Sequence, residues 1–229
     1  MTPVAGLPTS QLVVAAPVMP LSRAAAAYSS SVSFDEAWTE LTPPVRRSLE
    51  LAYDSLVAGG LPVGSVLTDA RGDIVAEGRN RAYDPPGGAD VLQGTPLAHA
   101  EMNALAAART EWDLAGCTLW STHEPCSMCA AAAAFTMVGT VRYVAPDPWA
   151  VGAGVTSAPA AGLPLGDPRW ARVAGLLFVL GVADRVGPDS PTVVRNPDLA
   201  RIALELLPAP TDGTLPDLVA PLWPRILTT

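Results

Sequence analysis

The stretch CTLWSTHEPCSMCAAAA, residues 117–133, passes from strand to turn to helix without a break. Cys117–Ser121 carries Thr118 and Trp120, which favour extended backbone, and reads as a strand. Ser127–Met137 is almost wholly apolar and reads as a helix; with apolar residues on every side it is expected to be buried. Cys126 and Cys129 are three residues apart, hence neighbours on one helical turn. At a helix start both thiols feel the positive end of the macrodipole, which favours the thiolate.

Upstream, LAHAEMNAL (residues 97–105) opens a second helix around Ala98–His99, expected to continue to about Arg109. Before it, LPVGSVLTDARGDIVAEGRN (residues 61–80) reads as two strands, Val63–Thr68 and Ile74–Glu77, joined by a tight turn at Asp69–Asp73. Tyr83–Thr95, with Pro85, Pro86, Gly87, Gly88 and Gly94, is a loop. Further out, a helix begins near Pro43 behind an N-cap at Thr42, and Gly59-Gly60 ends it. Its apolar positions Val45, Leu49, Ala52 and Leu56 recur at helical spacing. Thr140–Val144 is another strand. Strands separated by single helices imply crossovers and some parallel pairing. The class is therefore α/β, a three-layer α/β/α sandwich, with the two motifs at the N-terminal ends of two helices.

Three regions are expected: an irregular extension over residues 1–33, a core over 34–150, and a helical C-terminal extension over 151–229. The last packs on the core as a lid or interface. Within it, residues 150–168 read as loop, and Trp170–Val182 and Asp198–Leu206 as helices, the second capped by Asn196. The last twenty residues read as short helical pieces.

A chain that is 49% hydrophobic and 16% charged can bury a sizeable core. The net charge is −8, and all 14 basic residues are Arg. That balance argues against a nucleic-acid partner, because phosphate contacts need clustered cations. Two of the three cysteines share one Cys-x-x-Cys, which fits metal or redox use in a reducing compartment, the cytoplasm. The longest apolar run, Val173–Ala183, is too short to span a membrane, and the first thirty residues match a secretory signal poorly.

His99, Cys126 and Cys129 supply one imidazole and two thiols, the three protein ligands of a catalytic zinc site that leaves a fourth position to water. Glu101 adds a carboxylate able to carry a proton. In a helix interior, residues two apart point to different faces. His99 and Glu101 therefore serve one site only if that site lies off the helix end. H-x-E followed by P-C-x-x-C is the general signature of zinc deaminases.

On these motifs, the region from about Leu61 to Val151 resembles the cytidine/deoxycytidylate deaminase superfamily. Within it, the region is most similar to the branch of guanine, cytosine and tRNA adenosine deaminases. The resemblance implies a mixed, roughly five-stranded sheet, Zn2+ on His99, Cys126 and Cys129, and Glu101 as proton shuttle. It also implies substrate contacts from Asn80, the Ala100 backbone and Asp147, and a homodimer. The expected reaction is hydrolytic deamination of a small amino-substituted heterocycle: guanine, cytosine, an aminotriazine or a nucleoside.

Two other functions compete with it. A tRNA adenosine deaminase has the same central motifs, but the acidic charge disfavours it. A catalytically silent zinc domain is disfavoured by Glu101. Cys117 reads as a buried strand cysteine rather than a fourth ligand. His123 reads as a pocket wall or packing group, and Asp147, between Pro146 and Pro148, reads equally as a turn residue. The tryptophans read as core or interface.

Overall fold

The computed structural model describes residues 32–87, 90–149 and 162–228. Nearly all of the extension expected over residues 1–33, and most of the loop expected over 150–168, lie outside the described residues. Two helices come first, α1 (Phe34–Glu40) and α2 (Pro43–Val57). A hairpin of β1 (Gly64–Thr68) and β2 (Ile74–Arg79) follows, then α3 (Ala100–Ala106), β3 (Thr118–His123), α4 (Ser127–Phe135) and β4 (Thr140–Ala145). The C-terminal part holds β5 (Leu163–Pro164), α5 (Pro168–Val186), α6 (Pro191–Val194), α7 (Pro197–Glu205), α8 (Leu215–Val219) and α9 (Trp223–Thr228).

The sheet is mixed and five-stranded, in the order β2-β1-β3-β4-β5. β1 pairs antiparallel with both β2 and β3, whereas β3, β4 and β5 run parallel. α2 and α5 cover one face, and α3 and α4 the other. This is the expected three-layer α/β/α sandwich. Every residue of β1 is buried, as a strand covered on both faces must be. α3 lies so close to β2 that a Cβ on Gly78 would stand 2.5 Å from the Ala100 carbonyl oxygen and the Ala104 nitrogen. Glycine at 78 therefore sets how near α3, with the site at its N-terminus, approaches the sheet.

Several expectations are corrected. α4 is not buried all round. Only Cys129 and Ala133 are fully enclosed, one stripe at i and i+4, while Phe135 is 89% exposed. Its apolarity comes from alanines, small enough to face solvent at little cost. α3 stops at Ala106 rather than Arg109, because the Ala108 N–H turns back to the Leu105 carbonyl. β5 falls in a stretch read as loop; a two-residue edge strand has no period to detect. α5 is longer than expected, from an Asp167 cap to Gly187 at φ 108°. Thr42 and Asn196 occupy N-cap positions without side-chain capping bonds. α1 was not expected, although Ser33 and Glu36 form a capping box there.

The C-terminal helices complete the core. Trp170 of α5 packs against Phe34 and Trp38 of α1 and against Trp223 of α9. Among the described residues, no helix is long and apolar enough to cross a membrane.

Candidate active site

His99 is the N-cap of α3 and Cys126 the N-cap of α4, both in extended backbone conformations. Each side chain thus leaves its helix at the tip, and Cys129 rises from the first turn of α4. Cys126 Sγ, Cys129 Sγ and His99 Nδ1 form a triangle with all three sides 3.6 Å. A tetrahedral ion about 2.3 Å from sulfur and about 2.0–2.1 Å from nitrogen holds such donors roughly 3.5–3.8 Å apart, so the set fits zinc. Cys117 stands apart, its Sγ bonded to the Asp113 carbonyl at 3.5 Å.

Glu101, two residues along from His99, lies at the buried edge of this triangle. Its Oε1 accepts a hydrogen bond from Ser121 Oγ at 3.1 Å, and its Oε2 accepts from Cys129 Sγ at 3.5 Å. The i, i+2 offset works because His99 is outside the helix proper. Burial raises the Glu101 pKa above the usual carboxylate range, against the pull of His99 and Ser121. The adjacent Cys129 thiol, followed by His99, holds Cys126 down at about 3, and Cys129 is pushed up in return. His99 is raised by its contact with Cys126, against the opposing effect of burial.

A cavity of about 470 Å³ opens onto these groups. His99, Glu101 and Cys126 line it, together with Asn80, Asp147 and His123. Asn80 is buried at the end of β2, where its N–H bonds to the Val63 carbonyl and its Oδ1 accepts from the Ala82 N–H. Asp147 lines the cavity and also fixes its own turn, its Oδ1 accepting from the Trp149 N–H at 2.9 Å. Ala100 is fully buried and is not among the lining residues. His123 packs on Phe178 with ring centroids 5.1 Å apart. Burial pushes its pKa down to about 3, while the Ala174 carbonyl nearby pulls the other way without reaching hydrogen-bond geometry.

An apolar wall of the cavity is not signalled by the sequence motifs. This wall is made by Phe178, which packs on His123, with Val182 and Val186, spaced four apart on one stripe of α5, and Ser190 and Thr192 also line the cavity. Tyr83 and Trp149 stand at the cavity with their rings partly exposed. The four-residue spacing on α5 was visible in sequence; which layer that stripe would face was not.

The family model for the cytidine and deoxycytidylate deaminase zinc-binding region matches residues 42–145. The chain is 36% identical over 106 residues to the tRNA-specific adenosine deaminase of Haemophilus influenzae, covering 45% of this chain and 57% of that one. It is 32% identical over 114 residues to the guanine deaminase of Bacillus subtilis, covering 48% and 67%. The X-ray structure of guanine deaminase from Bacillus subtilis matches with a TM-score of 0.40 and 31% identity, over 50% of this chain and 69% of that one. The chain thus spans a little over half the length of the Haemophilus relative and two thirds of the Bacillus one. The matched region contains His99, Glu101, Cys126 and Cys129 but ends before α5. The chain belongs to the cytidine and deoxycytidylate deaminase family, whose zinc-binding region it carries.

Proposed function

We propose that this protein is a zinc-dependent hydrolytic deaminase of a neutral amino-substituted heterocycle, a nucleobase or close analogue. The observation that carries this reading is the buried Glu101 carboxyl beside the His99, Cys126 and Cys129 donors, on the wall of a cavity with room for a planar ring.

Zinc, when bound by these three residues, supplies Lewis-acid activation of water near neutral pH. Glu101 takes the proton from the attacking water. It delivers that proton to the ring nitrogen, then carries the proton of the hydroxyl added at the ring carbon to the amine, so that the C–N bond breaks, ammonia leaves and an oxo group remains. Ser121 holds the Glu101 carboxyl toward the site. Asn80, its Oδ1 already engaged by the Ala82 N–H, turns its amide NH2 to the substrate, and Asp147, on the cavity wall, orients the substrate.

The lining includes Glu101, Glu124 and Asp147 but no Arg or Lys among the described residues. Phosphate recognition depends on such cations, so the substrate is unphosphorylated. The identity with tRNA-specific adenosine deaminases supports a second reading, adenosine-to-inosine editing, against which the same lining weighs. Ammonia release from purines, pyrimidines and aminotriazines by zinc-loaded protein, beside inosine formation in tRNA, separates the two. Glu101→Gln should retain zinc and lose about 10²–10⁴-fold in turnover. Wild-type rates in that variant would refute the reaction. The exposed apolar side chains of Phe135 and Met137 support a homodimer, and a monomer in sedimentation would refute that.

A further inference from the structure

Arg185 sits in the last turn of α5, between Val182 and Val186 of the cavity wall, yet it does not line the cavity. Its guanidinium lies 3.9 Å from the centroid of the Tyr83 ring, on the ring face. Both Nε (at 3.2 Å) and Nη2 also donate to the Gly59 carbonyl. The guanidinium is thus held on both sides, by a fixed carbonyl and an aromatic face. It joins three segments that each supply lining residues: Leu61 just after Gly59, Asn80 and Tyr83, and the α5 stripe.

We propose that Tyr83 is a substrate-stacking plate and that Arg185 is the residue that positions it. Arg185 covers one face of the ring from outside the cavity, so the surface Tyr83 gives to the cavity is its opposite face and edge. A cation over one face draws electron density toward itself. The free face becomes less negative and better suited to stack on an electron-rich neutral heterocycle. The same contacts keep the Arg185 charge out of the cavity. This assignment rests on the reading that the cavity takes a planar heterocycle; it adds the groups that grip the ring remote from the metal donors.

Binding can be tested apart from turnover. Zinc-loaded protein carrying Glu101→Ala is titrated with the fluorescent base 2-aminopurine. Adding Tyr83→Ala should weaken binding about tenfold, and Tyr83→Phe should restore it to within about twofold, since the ring and not the hydroxyl does the stacking. Arg185→Met should weaken binding about threefold, and in the Tyr83→Ala background it should add nothing. Thermal melts of the same variants should change little, because both side chains are exposed and exposed charge contacts add little stability. Additive losses, or binding indifferent to Tyr83→Ala, overturn the proposal, as does a failure of 2-aminopurine to bind saturably. Ammonia release by protein with Glu101 intact is followed separately. Intact binding with no ammonia from any heterocycle refutes the deaminase reading and leaves the plate standing. Turnover whose KM ignores Tyr83→Ala refutes the plate and leaves the deaminase.

Discussion

His99 and Glu101 make one site only because one residue caps a helix and the other lies in its first turn. That constraint was legible in the bare H-A-E spacing. The partner that fixes Glu101 was not: Ser121 is twenty residues away and lies on a different element. Ser121→Ala removes a hydrogen bond to a buried carboxyl and should lower kcat with KM little changed, since the proposed proton carrier loses its aim. Unchanged kcat would show that packing alone holds Glu101. His123 makes a pH prediction. Folding keeps this imidazole neutral down to about pH 3, whereas the unfolded chain protonates it near its ordinary value of about 6.5. Between those values the unfolded state binds more protons, so stability is full above about pH 6.5 and falls as pH drops toward 3. Urea midpoints measured across that window should fall with pH, and His123→Leu should flatten the slope. An unaltered slope in the variant would place the titration elsewhere.

Among the elements, those built on local signals were readable: the β1–β2 hairpin, α2 and the strand–turn–helix unit of β3 and α4. Those set by tertiary context were not. α4 looked enclosed because its composition is apolar, but it packs by only one stripe. β5 exists only because β4 offers it an edge. The half of the site built from His99, Glu101, Cys126 and Cys129 was legible as motif, whereas the α5 wall depends on which layer that helix joins. Gly78→Ala tests how α3 is set against β2. The added methyl meets backbone, which has no rotamer to change, so α3 must move. The expected cost is about 1–3 kcal/mol, together with weaker zinc retention, measured by thermal melting and metal content. Full zinc affinity with a normal melting temperature would mean that α3 has slack.

For the whole molecule, a zinc ion held by His99, Cys126 and Cys129 would join the tips of two helices and should therefore stabilise the fold. Chelation should lower the melting temperature, and Cys126→Ala should melt at the chelated value with no further response to chelator. A chelator-sensitive Cys126→Ala protein would show that a different ligand set holds the metal. The aromatic cluster that closes the sheet's other face draws on both ends of the described chain: Phe34 packs on Trp223, and the Trp223 Nε1–H donates to the Val32 carbonyl at 3.0 Å. That closure has a consequence during synthesis. A ribosome completes the zinc ligands by residue 129, about a hundred residues before α9 emerges. Until α5 emerges, the nascent chain carries its metal-binding motifs with that face of the sheet covered by α2 alone, its remaining apolar surface exposed to chaperones and to other nascent chains.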